Sequence, residues 1–184
     1  MNYILLLVGK SGTGKSTIEK ILKKDYGYKP LKSYTTRKPR YEGEDTHIFV
    51  TDAEYEAMKN EVCAFTEFDG YKYWSTKSQV GESDVYVIDP DGIDYLKKTY
   101  AGDSKIVVVE LLAQKKVRRA RMRKRGDSWL KVRKRLTRDK KAFGFVDSDI
   151  VINANNDNPN KVTKDVVDSV QMFLELEECL NGKA

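Results

Sequence analysis

A glycine-rich segment near the start of the chain carries the clearest chemical pattern in this sequence. It reads Gly9-Lys10-Ser11-Gly12-Thr13-Gly14-Lys15-Ser16-Thr17 and fits G-x-x-x-x-G-K-S. It directly follows the apolar run Ile4–Val8 and precedes a helix-forming stretch. Glycines permit a tight turn, so that successive backbone N–H groups and the helix N-terminus face the phosphates of a nucleotide. The segment therefore predicts a phosphate-binding loop.

Within this loop, two side chains have predicted roles of their own. Lys15 is expected to reach the β- and γ-phosphates of the bound nucleotide, and the Ser16 hydroxyl to ligate Mg²⁺. Such loops serve ATPases, GTPases and small-molecule kinases, so the pattern leaves the acceptor open. The residues predicted to contact the nucleotide are Gly9, Ser11, Gly12, Thr13, Gly14, Lys15, Ser16 and Thr17.

A second candidate phosphate site lies in the polar segment Ser33–Arg40. Arg37 and Arg40 stand three residues apart on either side of Pro39. Arginine offers planar, bidentate donors to a phosphate, and the rigid proline limits how far the two side chains can diverge. The pair predicts a grip on one phosphate group; the alternative is two solvated surface arginines.

Asp89 follows the apolar run Val85–Ile88. A carboxylate at the carboxyl end of a parallel strand faces the crevice in which nucleotides bind, which favours a role in the site. The alternative is a turn residue, because Asp89-Pro90-Asp91-Gly92 has strong turn chemistry.

The positive charge of the chain is concentrated in Lys115–Lys141. This segment holds 15 Lys and Arg residues against two acids, Asp127 and Asp139, so it carries +13 while the remainder of the chain carries −7. Such a segment predicts a local site for a polyanion. One alternative is solvated helix faces; another is a nucleic-acid surface, although Trp129 is the only aromatic residue there for stacking.

Several segments together resemble the guanylate kinase family, in family order and over nearly the whole chain. They combine the glycine-rich loop with the pattern S-x-T-T-R-x-P-R, which is far more specific than either part alone. The matching segments are Ser33–Arg40, Gly43-Glu44, His47–Val50, Phe65–Ser75, Ile88–Gly92, Arg125-Gly126, Lys134–Leu136 and Ile150–Asn153.

The resemblance implies a nucleoside monophosphate kinase that transfers the γ-phosphoryl of ATP to GMP or dGMP with Mg²⁺. It implies catalytic roles for Lys15, Arg125 and Arg135, and an ATP contact by Asn153. No general base is needed, because the acceptor phosphate is already an anionic nucleophile. The residues it implies for GMP are Ser33, Arg37, Arg40, His47, Glu67, Tyr73, Ser75 and Asp89.

Within that set, the resemblance assigns the acceptor phosphate to Arg37, Arg40 and Tyr73, and the guanine base to Glu67 with Ser33 and Ser75. A carboxylate suits guanine, whose N1–H and 2-amino group are adjacent donors.

Three positions depart from the family pattern. His47 stands in place of a phosphate-binding tyrosine, so it is either a phosphate contact or a loop residue. Val87 replaces an acid, and Trp74 replaces a glycine. An altered base or sugar pocket would follow.

Two other functions remain open. One is a kinase for a different nucleotide. The other is a non-catalytic guanylate-kinase-like binding module, a class that typically lacks the intact loop found here.

The elements that must position these residues alternate between strands and helices. Short apolar runs predict parallel core strands at Tyr3–Val8, Val85–Ile88, Ile106–Leu112 and Ile150–Ile152. The intervening stretches predict helices at Ser16–Asp25, Gly92–Tyr100, Gln114–Arg125, Ser128–Lys141 and Pro159–Leu180. A further helix is expected at Asp52–Asn60, with a cap at Thr51 or Asp52 answered by Glu54.

This alternation predicts an α/β fold of the P-loop NTPase type, with three layers and a parallel core sheet. We expect residues 1–27 and 84–184 to form the kinase core, residues 28–83 a small mixed β insertion for the acceptor, and residues 126–145 a helical lid.

Composition limits the class of protein. The 184 residues are 40% hydrophobic and 34% charged, which favours a single globular core with a charged surface. We find no run long enough to span a membrane. Two lone cysteines favour a reducing cytoplasm. We expect small nucleotides as partners and no nucleic acid; the oligomeric state stays open.

Overall fold

The computed structural model describes residues 2–39 and 41–182. Strands and helices alternate along most of this length, as the sequence predicts. In chain order they are β1 (Tyr3–Val8), α1 (Lys15–Tyr26), β2 (Tyr34–Thr35), β3 (Ile48–Phe49), α2 (Asp52–Met58), β4 (Val62–Phe68), β5 (Tyr71–Thr76), α3 (Lys77–Gly81), β6 (Val85–Val87), α4 (Pro90–Thr99), β7 (Lys105–Leu112), α5 (Lys115–Lys124), α6 (Trp129–Ala142), β8 (Ile150–Asn153) and α7 (Pro159–Asn181).

One sheet of the described chain has four strands in the order β6-β1-β7-β8. Strands β7 and β8 run parallel, with Val109 opposite Ile150 and Leu111 opposite Ile152. The residues Ile4–Val8 of β1 are completely buried, as is typical of a strand covered on both faces. The predicted α/β class with a parallel core sheet is confirmed.

A second four-stranded sheet has the order β3-β2-β5-β4. Strand β2 is parallel to β3 and antiparallel to β5, so this sheet is mixed, as expected for the insertion. Strands β4 and β5 form a hairpin whose turn, Asp69-Gly70, has φ of +50° and +77°. Trp74 is fully buried, and its ring lies 4.8 Å from Tyr55 and 5.5 Å from Tyr34. The bulky residue at this position therefore fills an aromatic cluster.

Helix α2 begins as the sequence predicts. The Thr51 hydroxyl accepts a hydrogen bond from the Glu54 N–H, and the Glu54 carboxylate accepts one from the Thr51 N–H, which completes a capping box. The α-helix ends at Met58, and a 3₁₀ turn over Lys59–Glu61 continues it. Helix α3 was not predicted, because it is only five residues long.

The chain divides into two compact units. The first consists of the chain up to Leu6 together with Tyr28–Ile106, and the second of Leu7–Gly27 together with the chain from Val107 onward. Strands β1 and β7 contribute residues to both, so the division differs from the predicted boundary at residues 28–83. The predicted domain limits remain predictions.

Within residues 2–39 and 41–182, none of the helices is both long and apolar enough to cross a membrane. Cys63 is buried and Cys179 is exposed, and both are free thiols.

Helix α1 contains a half-buried carboxylate, Glu19. The helix buries Ile18 and Leu22 and packs against α7 within the second unit. Desolvation of Glu19 raises its pKa from 4.5 to about 7, although Lys20 and Lys23 partly oppose this change. The folded protein therefore binds a proton at Glu19 more tightly than the unfolded chain does.

This shift predicts that folding becomes less favourable as the pH rises. Between about pH 4.5 and pH 7 the folded state holds a proton that the unfolded state has lost, so the free energy of unfolding falls across that interval. Glu19→Gln removes the penalty and should raise the free energy of unfolding by about 1–3 kcal/mol at pH 8. Urea denaturation at pH 4.5 and pH 8 measures the difference.

The matched control is Asp25→Asn, an exposed carboxylate on the same helix. It should change stability equally at the two pH values. An equal effect of Glu19→Gln at both values would contradict the prediction.

Candidate active site

The loop between β1 and α1 adopts a conformation that requires its glycines. Gly9, Gly12 and Gly14 have φ of +152°, +83° and +111°. A Cβ atom on Gly12 would lie 2.7 Å from the carbonyl oxygen of Arg118, which is closer than van der Waals contact allows. Both the backbone conformation and the lack of space therefore demand glycine there.

Helix α1 begins at the end of this loop with its N-terminal backbone groups available to a ligand. Its N-cap is Gly14, in the left-handed conformation, which has no side chain with which to cap the helix. Its first turn contains no acidic residue. The N–H groups and the helix dipole therefore present positive charge to an anion.

The loop borders a cavity of about 430 Å³ in the second unit. Nine of the predicted site residues line it: Ser11, Gly12, Thr13, Gly14, Lys15, Ser16, Thr17, Arg125 and Arg135. The structure thus brings together the loop and the two arginines assigned to the predicted lid. Gly9 and Asn153 do not line this cavity; the Asn153 side chain instead accepts hydrogen bonds from the backbone N–H and the side-chain amide of Asn155.

Lys15 lies over the loop. Its ammonium group donates to the carbonyl oxygen of Gly9 and contacts that of Lys10 at 3.5 Å. These contacts hold the charge at the phosphate end of the cavity, where the adjacent Ser16 also lies.

Asp127 holds the two lid arginines. Its Oδ2 accepts hydrogen bonds from Nε of Arg125 at 2.9 Å and from Nη2 of Arg125 at 2.5 Å, and it lies 3.8 Å from Nε of Arg135. Two guanidinium groups that line the cavity and would otherwise repel each other therefore share one carboxylate.

Sequence reasoning missed several residues of this cavity. Arg121 lines it and donates to the carbonyl oxygens of Thr13 (3.2 Å), Ala154 (2.8 Å) and Asn156 (2.7 Å). In the sequence, only its position within the basic segment Lys115–Lys141 suggested a role for Arg121 in binding an anion. Another part of the wall comes from the segment after β8 and from the first turns of α7, and it combines apolar with polar side chains: Ala154, Asn156, Asp157, Pro159 and Val162.

In the first unit, Arg37 forms a buried bidentate ion pair with Glu44. Its two terminal nitrogens lie 3.1 and 2.9 Å from the Glu44 oxygens, and Thr46 donates to the same carboxylate at 2.8 Å. The hydrogen bond to Glu44 raises the pKa of Arg37, and the Tyr73 hydroxyl adds to this effect. Nε of Arg37 is buried without a hydrogen-bond partner. The structure therefore brings Arg37 and Tyr73 together.

Ser33 and His47 also meet in this unit. Ser33 Oγ lies 2.9 Å from Nδ1 of His47, and the imidazole ring lies 5.4 Å from the ring of Tyr73, edge to face. His47 therefore occupies the same cluster as Arg37 and Tyr73.

Ser75 lies on the same side of the hairpin as Tyr73. Its hydroxyl is buried near the Tyr86 hydroxyl, but it makes no hydrogen bond of good geometry. Burial raises the pKa of Tyr86, while Ser75 and Ser33 partly oppose the increase. The hydroxyls of Ser33, Ser75 and Tyr86 thus form one buried polar cluster. The sequence analysis did not identify Tyr86 as part of it.

Glu67 does not join this cluster. It is exposed, and in the β4–β5 register it lies opposite Lys72, whereas Thr66 lies opposite Tyr73 and Ala64 opposite Ser75. Side chains alternate between the two faces of a strand, so Glu67 faces away from Tyr73 and Ser75. The expected neighbour relationship between Glu67 and Ser75 is not found; Ala64 stands across from Ser75.

The two remaining predicted acceptor residues are Asp89 and Arg40. Asp89 caps α4, with its Oδ1 accepting from the Gly92 N–H at 2.8 Å, and its charge contributes to the raised pKa of Tyr86. It therefore combines the turn role with a position beside the buried cluster. Arg40 lies outside the described residues.

Comparisons with known proteins identify the family and the fold. The family model described as guanylate kinase matches residues 1–173. The chain is 34% identical over 148 residues to a guanylate kinase from Syntrophus aciditrophicus (strain SB), covering 73% of this chain and 69% of that protein. Its fold matches the crystal structure of guanylate kinase from Anaplasma phagocytophilum with a TM-score of 0.60 and 17% identity, covering 93% of this chain and 85% of the other.

The match to the family model spans almost all of the chain and includes both residue clusters described above. The chain belongs to the guanylate kinase family, and this membership supports nucleoside monophosphate kinase activity.

Proposed function

We propose that this protein transfers the γ-phosphoryl group of ATP to GMP or dGMP, forming ADP and GDP or dGDP. The observation that carries the proposal is the cavity in the second unit, where a complete phosphate loop with Lys15 lies beside Arg121, Arg125 and Arg135. The complete loop argues against a non-catalytic binding module, which has no use for it.

The cavity suits ATP in shape and charge. Its loop end presents backbone N–H groups and cationic side chains to a triphosphate. Its other end combines Ala154, Pro159 and Val162 with the amide of Asn156, a mixture of apolar and polar groups suited to a purine.

Magnesium fits the donor chemistry beside the loop. The Ser16 hydroxyl would hold the ion together with phosphate oxygens and water, a ligand set that Mg²⁺ accepts. When bound there, Mg²⁺ supplies positive charge to the donor phosphates.

The chain's own residues contribute positioning and charge. An oxygen of the acceptor phosphate forms a bond to the γ-phosphorus while the bond to the β–γ bridging oxygen breaks, and ADP leaves with that electron pair. Lys15, Arg125 and Arg135 stabilise the negative charge on the transferring group and on the leaving oxygen. The acceptor oxygen is already ionised, so no proton must be removed from it.

The acceptor would bind through the cluster in the first unit. Arg37, fixed by Glu44, directs its unpaired Nε and the neighbouring Tyr73 hydroxyl to the phosphate. His47 provides a further donor in the place where the family pattern has tyrosine. We retain Arg40 as a phosphate ligand on the strength of the sequence pattern.

For the base, the unpaired hydroxyl of Ser75 and the nearby Ser33 are the proposed contacts, with Asp89 beside them. The position of Glu67 favours a second candidate, a kinase that accepts another purine monophosphate as well as GMP, because the carboxylate expected to select guanine faces away.

Lys15→Ala should reduce ATP turnover by about 10²–10³-fold, since it removes a charged donor to the phosphates. A coupled assay of ADP formation with saturating GMP measures the effect, and circular dichroism confirms that the variant is folded. Lys24→Ala changes an exposed lysine in the last turn of the same helix and should match the wild type. Undiminished turnover by Lys15→Ala would overturn the assignment of the donor site.

A panel of acceptors tests the base. We expect GMP and dGMP to be preferred over AMP, CMP, UMP and dTMP. Ser75→Ala should lower kcat/KM for GMP by about tenfold, because it removes a hydrogen bond to the bound base. Glu67→Gln is the matched control and should leave the order of acceptors unchanged.

Equal kcat/KM for AMP and GMP would refute guanine selectivity and support the second candidate. If Glu67→Gln lost the preference for GMP, the Glu67 carboxylate would after all contribute to the selection of guanine.

A further inference from the structure

Ser11 of the phosphate loop is held from outside the cavity by α5 and α6. Its N–H donates to Oδ2 of Asp139 at 3.0 Å, and its hydroxyl donates to Oδ1 at 2.9 Å. Arg118 donates to the same Asp139 Oδ2 at 2.7 Å and to the carbonyl oxygen of Ser11 at 3.3 Å. The N–H, the hydroxyl and the carbonyl oxygen of Ser11 are therefore all hydrogen-bonded to Asp139 or Arg118.

Both charged residues are buried. Arg118 is 7% exposed and Asp139 is 3% exposed, and neither lines the cavity. An ion pair at such depth contributes little net stability, because desolvation offsets the attraction between the charges. The ion pair instead fixes the orientation of the Ser11 groups that are hydrogen-bonded to it.

The pair connects the loop to the arginines of the cavity. Asp139 follows Arg135 by four residues on α6, so the two side chains lie on the same side of that helix. Arg118 precedes Arg121 by three residues on α5, and Arg121 donates to the carbonyl oxygen of Thr13. The backbone of Arg118 also lies against Gly12. Three successive loop residues are thus fixed by the same two helices.

We propose that Arg118 and Asp139 are positioning residues for phosphoryl transfer. They act through Ser11, whose tether orients the loop, and through α6, whose attachment to the loop places Arg135 at the cavity. Neither residue touches the nucleotide. This role rests on the proposed function, because it assumes that the loop binds the phosphates of ATP.

No local sequence pattern distinguishes these two residues from their neighbours. Arg118 was one of many bases in the segment Lys115–Lys141, and Asp139 was one of its two acids. Only the fold shows that they are buried together beneath the loop.

The test removes both charges at once, so that no single charge is left buried. The double variant Arg118→Met/Asp139→Ala keeps good helix formers at both positions. The control is Val170→Ala, which opens space in the buried face of α7 away from the loop. Denaturation of both variants identifies conditions under which each is fully folded.

The first readout is independent of activity. Hydrogen exchange of the Ser11 amide, followed by NMR without nucleotide, should accelerate at least about tenfold in the double variant, because the bond to Asp139 protects it. The same amide should exchange at the wild-type rate in Val170→Ala. Wild-type exchange in the double variant would overturn the tether.

The second readout is kinetic. In the double variant we expect KM for ATP to rise by at least about tenfold and kcat to fall, since a small displacement of the loop is costly, while KM for GMP stays within about twofold of the wild type. Unchanged ATP kinetics with a folded double variant would refute the positioning role. If the wild-type protein itself neither binds ATP nor forms ADP, the proposed function fails instead, and the exchange measurement still decides the tether.

Discussion

Every contact with a donor phosphate in the proposed mechanism depends on the conformation of one short turn, Gly9–Gly14. Its N–H groups can face an anion only while Gly9, Gly12 and Gly14 keep positive φ. An unfolded chain does not maintain this conformation, because other backbone conformations are equally accessible to glycine. The surrounding helices supply the constraint. The carbonyl of Arg118 leaves no space beside Gly12, Asp139 holds both donors of Ser11, and Arg121 binds the carbonyl of Thr13.

This arrangement concentrates positive charge, which creates a second physical problem. The segment Lys115–Lys141 carries +13, and its arginines must remain near one another at the cavity without driving the helices apart. The two acids of the segment are placed where they reduce this repulsion. Asp127 bridges Arg125 and Arg135, and Asp139 neutralises Arg118. Other bases of the segment remain exposed, where water screens them.

Local patterns predicted much of the fold correctly. Strand β1 coincides with its predicted bounds because an unbroken apolar run permits few alternatives, and the capping box at Thr51 and Glu54 is a local device that needs no tertiary information. The same reasoning missed α3, whose five residues are too few to show a period. The loop and the two lid arginines were predictable because the motif and the family pattern name them directly.

Contacts between residues that lie far apart in the sequence were harder to predict. Glu67 was assigned from the family pattern, but successive side chains of a strand point to opposite faces, so a shift of one residue in the match moves a carboxylate from one face to the other. The pairing of Arg118 with Asp139 joins two helices, and no local pattern encodes which base of fifteen meets which acid.

The acceptor cluster uses its charges differently from the donor cavity, and this difference bears on selectivity. Glu44 occupies two nitrogens of Arg37, which aims the rest of a rigid guanidinium; a lysine could not be aimed in this way, because its ammonium group rotates freely. A phosphate bound at Arg37, as proposed, would therefore be held in one direction. The groups proposed for the base, Ser33 and Ser75, are hydroxyls that both donate and accept, so they alone exclude neither a 6-oxo nor a 6-amino purine. Under the proposed function, affinity for the acceptor would depend mainly on its phosphate. Discrimination between bases would then come from the shape and the fixed charge around that hydroxyl pair, because Asp89 and both serines act on Tyr86.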